Sequence, residues 1–324
     1  MPVQQVREQQ DWTTRTGMPV LAEPIFVGGV PRSGTTVVGK RMLGRHHKIG
    51  CTIPAEMWFL TNTGGLVDVA AGERDRFRLR NRLNAMRRGR LSPIGAFEDR
   101  MLGYWYKRPW WRDGRDKGLC QSISRKDLLA ALEAFHRRYP DDPVRASRLL
   151  VADIIDPSVR ERGRSRWVDT TPANAPRIDA LYRVFPDLKL VHMVRDGRDV
   201  AASIVSRGWG TDDFTRAMRQ WHDGMLANYR AILRIPLGRA HTVQLENLIG
   251  PDGLDYYERL LEFLGIYDSP KMRAYFVENM DPEAGHVGRW RSEVLHADRL
   301  EIDRSYARML ESLDAAGVPV PALV

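Results

Sequence analysis

Short apolar runs alternate along this chain with longer segments in which polar and apolar residues are mixed. Residues 25–27 form an uninterrupted apolar run, and after a glycine-rich turn residues 35–45 have the pattern of a helix. Residues 188–194 are mostly apolar, with Lys189 and His192 as the exceptions, and a second helix is predicted to extend through Ser206 with Asp199 as its N-cap. Largely apolar strands between helices are typical of a parallel sheet that is buried on both faces. The pattern therefore predicts an α/β fold.

The rest of the chain continues this alternation without an internal repeat. Residues 167–168 and 242–245 are predicted strands, and residues 256–264 are predicted to form an amphipathic helix. The predicted domain organisation is a flexible N-terminal tail (1–22), a single domain (23–324) and, within that domain, a helical, basic elaboration (about 66–145).

The glycine-rich turn after the first strand has the features of an anion-binding loop. Gly29 and Gly34 have the G-x-x-x-x-G spacing of a P-loop, in which backbone N–H groups and a helix dipole surround a phosphate. The Lys and Ser/Thr that should follow are replaced by Thr35 and Thr36, and a cation, Arg32, lies inside the loop instead. The loop is therefore expected to bind a phosphate-like group but not to perform ordinary ATP or GTP chemistry.

The second strand ends in a segment that suits another anion. Arg195 is predicted at the carboxyl end of that strand, where open α/β sheets bind ligands, and Ser203 follows eight residues later. A guanidinium together with a hydroxyl suits a second, isolated phosphate. Taken alone, this segment equally fits a strand-to-helix turn whose arginines are solvated.

In combination these segments resemble the PAPS-dependent sulfotransferase superfamily, in its bacterial branch related to the tyrosylprotein sulfotransferases. Residues 31–36, Pro-Arg-Ser-Gly-Thr-Thr, resemble that family's 5′-phosphosulfate loop, and Arg195 with Ser203 resembles its 3′-phosphate pair. Residues 287–291, Val-Gly-Arg-Trp-Arg, are similar to the C-terminal cofactor-binding segment of many bacterial members. The resemblance spans about residues 24–300. It implies a P-loop-like three-layer sandwich, with a central parallel sheet flanked by helices and the helical elaboration on the acceptor side.

The resemblance also implies the sulfuryl donor and the residues that bind it. The donor is 3′-phosphoadenosine 5′-phosphosulfate (PAPS), and adenosine 3′,5′-bisphosphate (PAP) is released. Arg32 and the loop N–H groups are expected to stabilise the charge that grows on the leaving phosphate as an acceptor hydroxyl attacks sulfur in line. No metal is expected, since a sulfuryl group carries less charge than a terminal phosphate. The cofactor-binding residues implied are Arg32, Ser33, Gly34, Thr35, Thr36, Arg195, Ser203, Gly288, Arg289 and Trp290.

A general base is implied by a further resemblance near residue 56. Residues 54–59, Pro-Ala-Glu-Met-Trp-Phe, resemble a bacterial P-x-E-x-x-F segment, in which Glu56 would deprotonate the acceptor. The alternative for Glu56 is an exposed residue that caps a helix, and Asp169 is then the next candidate for the base.

Thr170 is the fourth catalytic candidate beside Arg32, Glu56 and Asp169. Many relatives have a Lys-Thr-Pro segment where this chain has Thr-Thr-Pro, and Thr170 offers a hydroxyl donor without a charge. Either Arg32 supplies the positive charge alone, or another cation substitutes for that lysine, the candidates being Lys40 and Arg177.

The charge of the chain fits an anionic ligand. There are 50 Lys and Arg against 41 Asp and Glu, which gives a net charge of +9, and a basic protein concentrates anions near its clefts. Nucleic acid or an anionic surface remains compatible with this charge. The basic stretch over 74–90 fits either a solvated amphipathic helix or a patch that attracts an anionic acceptor. The aromatic stretch over 104–111 fits either an acceptor wall or local packing under a loop.

The remaining features concern compartment and metal binding. Cys51 and Cys120 do not suggest a disulfide framework and are expected to be reduced thiols in a cytoplasmic protein. The N-terminus lacks the apolar stretch of a signal peptide, and no window reaches the roughly 18 apolar residues of a transmembrane helix. His46 and His47 are expected to be helix-end cations, and His192 is expected to be a core histidine.

The predicted function is transfer of the sulfuryl group of PAPS to a hydroxyl of an acceptor, a small molecule or natural product, with no nucleic-acid or membrane partner. A peptide tyrosine is a further acceptor that the resemblance allows. Two other classes stay open. A nucleotide kinase-like P-loop enzyme is disfavoured by the missing Walker lysine and by Arg195 at the place of a Walker-B aspartate. A non-catalytic polyanion binder would use the basic middle segment.

Overall fold

The computed structural model of the protein describes residues 12–72, 93–108, 114, 116–208 and 210–319. The basic stretch 74–90, residues 109–111 of the aromatic stretch and residues 1–11 of the predicted tail lie outside the described residues.

Among the described residues, five strands form one sheet. They are β1 (Ile25–Gly29), β2 (Ile49–Cys51), β3 (Arg166–Asp169), β4 (Lys189–Val194) and β5 (Ala240–Gln244). Their order is β2-β3-β1-β4-β5. β2 pairs in parallel with β3 and β4 pairs in parallel with β5, with Leu190 opposite Ala240. Every residue of β1 and β3 is buried, as expected for strands covered on both faces. The predicted three-layer α/β fold with a parallel sheet is confirmed.

Helices connect these strands. The α-helices are α1 (Trp58–Thr61), α2 (Leu66–Ala70), α3 (Pro93–Leu102), α4 (Arg125–Arg138), α5 (Pro143–Glu161), α6 (Ile178–Val184), α7 (Gly197–Val205), α8 (Phe214–Ile232), α9 (Leu245–Leu248), α10 (Gly253–Leu264), α11 (Pro270–Asn279), α12 (Trp290–Glu293) and α13 (Arg299–Ala315). Helical turns of other pitch are Val37–Met42 (π), and Leu43–Arg45, Leu119–Gln121, Pro172–Arg177 and His296–Asp298 (3₁₀).

The ends of several helices follow from local sequence. Ser124 caps α4 by accepting from the Asp127 nitrogen, and Asp142 caps α5 ahead of a proline at its first position. α10 ends at Gly265, whose left-handed conformation suits glycine. The predicted helix over 35–45 is present, but only its first two residues are α-helical.

One capping prediction is wrong. Asp196, not Asp199, is the N-cap of α7, since its side chain accepts from the Arg198 nitrogen. Asp199 lies within the first turn of that helix and binds elsewhere, as described below.

The described chain divides into two compact units. The first contains Met1–Ile25, His47–Thr171 and Ala180–Leu188, and the second contains Phe26–His46, Pro172–Asp179 and Lys189–Val324. In the first unit α4 packs along α5, and the buried ring of Phe97 contacts the rings of Phe135 and Trp105.

Residues 12–23 are held within the first unit by buried carboxylates. Asp153 accepts from the Arg15 nitrogen at 2.6 Å, Asp156 from the Leu21 nitrogen at 2.9 Å, and Asp187 from the Glu23 nitrogen at 2.6 Å. Burial raises the pKa of Asp156 to about 7. These bonds supply partners for three backbone nitrogens of a segment that otherwise pairs with itself, through an isolated bridge between Thr13 and Pro19 and a turn over residues 14–18.

The core of the second unit lies around α7 and α8. Trp221, Trp290 and Tyr306 are almost fully buried there and pack with apolar residues of α7, α8 and α13. This core supports the turn between β4 and α7, because the Trp221 Nε1 donates to the Arg195 carbonyl at 3.1 Å.

Candidate functional site

The glycine loop of the second unit passes against the end of a neighbouring strand. Gly29 has φ +157°, and a Cβ at this position would lie 2.3 Å from the carbonyl oxygen of Met193 in β4. A Cβ at Gly28 would lie 2.4 Å from the nitrogen of Ala175. Any side chain at either position would collide with backbone, so close packing requires glycine here.

The turn that follows presents polar groups suited to an anion. Thr35 is the first helical residue after the loop, so the amides of the first turn have no partner within the helix. The Ser33 hydroxyl is buried and has no hydrogen-bond partner among the described residues. A buried unpaired donor is costly unless a ligand binds it. The loop therefore fits a phosphate-like group.

Arg32 joins this loop to α7. Its backbone is in the left-handed region at φ +78°, and its Nε donates to the Ser203 hydroxyl oxygen at 2.9 Å. Its carbonyl accepts from the Arg195 Nη1 at 3.4 Å. The sequence places Arg32 beside the transferring group, whereas the structure directs its Nε toward the serine expected at the 3′-phosphate.

Arg195 lies at the carboxyl end of β4, as the pattern predicts, and is 7% exposed. Its Nη2 donates to the carbonyls of Gly285 and His286 at 3.0 and 3.1 Å and lies 3.7 Å from the Asp199 carboxylate. Its Nε is buried without a hydrogen-bond partner among the described residues. A buried guanidinium N–H of this kind fits an anionic ligand.

The Asp199 carboxylate, on α7, forms hydrogen bonds with the C-terminal segment 287–291. It accepts from the backbone nitrogens of Gly288 at 2.8 Å and Trp290 at 3.1 Å. Burial raises the pKa of Asp199, and these two hydrogen bonds oppose that shift. The three segments singled out in the sequence thus meet in the second unit.

The other two residues predicted in the C-terminal segment have different surroundings. The Arg289 guanidinium binds the Glu293 carboxylate, and its Nη2 donates to the Ser206 hydroxyl at 3.3 Å. The Trp290 ring is buried, with the guanidinium of Arg198 4.8 Å from its centroid. The structure therefore brings Gly288 to Arg195 through Asp199, and it places Trp290 in the core.

Sequence reasoning did not identify the residues that shape the β4–α7 turn. The Glu246 carboxylate accepts from the Asp196 nitrogen at 2.8 Å, and the Tyr306 hydroxyl accepts from the Gly197 nitrogen at 3.2 Å. Asp196 also accepts from the Arg198 Nη2 at 2.6 Å. Asp196 directly before Gly197 was an available N-cap signal, but Glu246 and Tyr306 come from distant segments that no local pattern connects.

The first unit holds the other catalytic candidates. Glu56 is half-buried, and its Oε2 accepts from the Trp58 indole at 2.7 Å. The Arg108 guanidinium lies 3.0 Å above the Trp58 ring, and burial lowers its pKa against the opposing effect of Tyr104 and Glu56. These residues line a small open pocket whose full lining is Pro54, Glu56, Met57, Trp58, Phe59, Trp105, Arg108, Lys117, Gly118 and Leu119.

Asp169 and Thr170 hold the loop that carries Glu56. The buried Asp169 carboxylate accepts from the Met57 nitrogen at 2.7 Å and from the Thr171 nitrogen at 3.1 Å. The Thr170 nitrogen and hydroxyl both donate to the Ala55 carbonyl at 2.9 Å. Both side chains are 0% exposed, so their contacts position the loop.

His192 is a core histidine, as the sequence predicts. Its Nδ1 lies 3.3 Å from the Thr242 hydroxyl, and the Asn228 side-chain nitrogen lies 3.2 Å from its Nε2. Burial lowers its pKa to about 4, so the ring is neutral near pH 7. His46 lies at a helix end, as the sequence predicts, where it is the C-cap of the Leu43–Arg45 turn; it is buried, with its ring edge-on to Tyr267.

The fold and the motifs define one class of protein. The chain belongs to the sulfotransferase family, which matches residues 24–270. It is similar to the protein-tyrosine sulfotransferase 2 of chicken (Gallus gallus), with 25% identity over 251 residues, 75% of this chain and 51% of that protein. The chain thus spans about half the length of this relative.

One solved structure shows the same fold, and a second is reported for its similarity alone. A sulfotransferase domain from the curacin biosynthetic pathway is 16% identical, with a TM-score of 0.50 over 93% of this chain and 100% of that chain. A mouse sulfotransferase solved in complex with PAP is 12% identical, with a TM-score of 0.42 over 96% of this chain and 90% of that chain. No helix in the described ranges is long and apolar enough to span a membrane.

Proposed function

We propose that this chain is a PAPS-dependent sulfotransferase that transfers the sulfuryl group to a hydroxyl of a small-molecule or natural-product acceptor. The observation that carries the proposal is the junction in the second unit between the glycine loop, the start of α7 and residues 285–290. Two guanidiniums, two serine hydroxyls and the amides of a helical first turn converge there, and this donor-rich set suits a ligand with two separate anionic groups.

Different residues are proposed to bind the two ends of PAPS. The backbone of Ser33, Gly34, Thr35 and Thr36 holds the 5′-phosphosulfate, because the first turn of a helix offers unpaired N–H groups. Arg195 and Ser203 hold the 3′-phosphate. Gly288, Arg289 and Trp290 form the C-terminal segment that Asp199 keeps in place.

Glu56 is the proposed general base. Its carboxylate lies on a pocket, where the Trp58 N–H orients it, whereas the Asp169 carboxylate is buried and engaged by backbone nitrogens. We therefore assign Asp169 and Thr170 to positioning of the Glu56 loop. The acceptor class stays a proposal, and the apolar and aromatic lining of the pocket supports a hydroxylated organic molecule.

The reaction balances without a covalent enzyme intermediate. The acceptor oxygen forms a bond to sulfur while the bond between sulfur and the bridging oxygen of the 5′-phosphate breaks. The acceptor proton passes to Glu56, and the leaving electron pair stays on PAP. The loop N–H groups and the nearby guanidiniums stabilise the negative charge that develops on the leaving phosphate.

Binding and transfer test this proposal separately. PAP is expected to raise the Tm of the purified chain, and ATP is expected to raise it much less. Incubation with ³⁵S-labelled PAPS and a panel of phenols, sugars and hydroxylated natural products is expected to label at least one acceptor. A Tm that PAP leaves unchanged, together with polyanion binding that falls steeply with salt, would establish the non-catalytic alternative instead.

A further inference from the structure

The half-buried Arg108 guanidinium lines the pocket of the first unit, and the proposed reaction gives it no role. It lies over the face of the Trp58 indole, with its Cζ 3.0 Å from the ring centroid. The same indole donates from its Nε1 to the Glu56 Oε2 at 2.7 Å. The indole therefore has a cation on its face and a carboxylate at its N–H edge.

The two contacts of the Trp58 indole reinforce each other. A cation over an aromatic ring is attracted by the π electrons, and Trp is the aromatic residue that attracts it most strongly. Because the cation draws electron density toward itself, the indole N–H becomes a stronger hydrogen-bond donor. A hydrogen bond to a carboxylate favours the ionised form, which is the form that a general base needs. The stacked guanidinium thus acts on Glu56 through Trp58.

The charge of Arg108 also acts on Glu56 directly. Burial lowers the pKa of Arg108, and the attraction of Tyr104 and Glu56 opposes that shift. The guanidinium and the Glu56 carboxylate are therefore close enough to interact electrostatically. An opposite charge nearby again favours the ionised form of a carboxyl group.

Other charged groups lie near this pair. Lys117 is the second cation that lines the pocket, and its backbone nitrogen donates to the Arg108 carbonyl at 2.7 Å. The Asp169 carboxylate accepts from the nitrogen of Met57, the residue that follows Glu56. Of these groups, Arg108 is the one whose contact with Trp58 connects it to the carboxylate by two routes.

We infer that Arg108 is a positioning residue for the proposed general base, acting through Trp58 to keep the Glu56 carboxylate ionised and directed into the pocket. The inference rests on the proposed function, in which Glu56 takes the proton of the acceptor hydroxyl, and adds the residues that control this base. No bond to Arg108 or Trp58 forms or breaks in the reaction.

Nuclear magnetic resonance of the Trp58 indole N–H tests the inference without an acceptor. In the ¹⁵N-labelled chain this signal is assigned by its loss in Trp58→Phe, and it should move with pH as Glu56 takes up a proton. The movement should be absent in Glu56→Gln. In Arg108→Gln the midpoint should rise by about 1 pH unit, the lower end of the effect of a nearby opposite charge. Arg108→Lys keeps the charge and should stay closer to the wild type.

Two further variants separate the Arg108 stack from positive charge in general. Lys117→Gln removes the second cation of the pocket and should raise the midpoint less than Arg108→Gln does. Arg145→Gln removes the cation of another Arg–Trp pair in the first unit, 5.3 Å from the Trp12 centroid, and should leave the midpoint unchanged. A midpoint that Arg108→Gln does not move, or that Lys117→Gln raises by as much, would overturn the inference. If Trp58→Phe does not fold, the loss of the pH response in Glu56→Gln assigns the signal.

Turnover separates failure of the inference from failure of the proposed function. With labelled PAPS and an acceptor that is labelled, the acidic limb of the rate profile in Arg108→Gln should move to higher pH by the same amount. Below the wild-type midpoint this means a loss of about 10-fold in rate, with an unchanged KM for PAPS. A slow Glu56→Gln together with an unshifted profile in Arg108→Gln would overturn the inference alone. A near-wild-type rate in Glu56→Gln would instead overturn the proposed base.

Discussion

The carboxylate of Asp199 accepts a hydrogen bond from the backbone nitrogen of Gly288 at 2.8 Å, across 89 residues of sequence. The other carboxylate oxygen accepts from the Trp290 nitrogen at 3.1 Å. Because the carbonyls of residues 285 and 286 bind Arg195, this segment contacts the start of α7 at two places. Asp199 thereby links the C-terminal segment to the proposed 3′-phosphate site.

Asp199→Asn is expected to lower both stability and PAP affinity. The amide nitrogen cannot accept a hydrogen bond, so one buried backbone N–H of the segment loses its partner at a cost of about 1–3 kcal/mol. Urea unfolding measures the stability, and calorimetry with PAP measures the expected several-fold loss of affinity. Asp212→Asn removes an exposed charge and serves as the control. Unchanged PAP affinity in a destabilised Asp199→Asn would limit the residue to a structural role.

Arg195→Ala is expected to discriminate between ligands. It removes the cation proposed for the 3′-phosphate, and truncation of one partner of a buried charge pair costs about 2–5 kcal/mol. PAP should therefore bind far more weakly, while adenosine 5′-phosphosulfate, which has no 3′-phosphate, should lose much less. Equal losses for the two ligands would show that Arg195 does not bind the 3′-phosphate. Arg41→Ala removes an exposed cation and provides a control of equal charge.

Glu56→Gln is expected to reduce turnover by about 10²–10⁴-fold while PAP affinity stays close to that of the wild type. The amide keeps the size of the side chain but cannot take the acceptor proton. Single-turnover rates with labelled PAPS measure the chemical step, and Glu161→Gln is the exposed control in the same unit.

Asp169→Asn provides the contrast to Glu56→Gln. Because Asp169 accepts from the Met57 and Thr171 nitrogens, its substitution should lower the free energy of unfolding by about 1–3 kcal/mol. Its effect on turnover should be smaller than that of Glu56→Gln. A near-wild-type rate in Glu56→Gln with a slow Asp169→Asn would reverse the two assignments.

The buried ring of His192 is expected to destabilise the fold in acid. Its pKa is about 4 in the folded chain, against about 6.5 when unfolded, so the unfolded state binds more protons between these values. This contribution is fully present above about pH 6.5 and is lost as the pH falls toward 4. The difference between the two pKa values corresponds to about 3 kcal/mol in the free energy of unfolding.

A variant isolates the His192 contribution from other groups. Asp156, whose pKa is raised to about 7, acts in the opposite direction. Its contribution to the stability of the fold is lost as the pH rises through that value. The difference in unfolding free energy between the wild type and His192→Gln should therefore be followed by urea titrations from pH 7 to 4. It should shrink as the pH falls. A constant difference would mean that His192 has an ordinary pKa in the folded chain.

Local chemistry is sufficient to predict four of the five strands and the glycine loop, but not the short strand β2. The apolar runs at β1 and β4 have to be buried on both faces. The glycines of the loop allow backbone to approach backbone, since a Cβ at Gly29 would lie only 2.3 Å from the Met193 carbonyl oxygen. The sequence predicts Arg195 at the carboxyl end of β4 and Ser203 within the helix that follows, and the structure has them at these places.

Tertiary structure decided which groups these side chains meet. The neighbours of Asp199 in sequence favour an N-cap, but its partners lie in a segment 89 residues away. The loop sequence places Arg32 at the transferring group, and its contact is a serine 171 residues away. The residues next to a position in sequence determine its burial and its local backbone conformation. A long-range hydrogen bond depends instead on where the packing of other elements places the partner. For that reason the sequence by itself determined the fold class and the glycine loop, and only the folded structure connected the loop, α7 and the C-terminal segment.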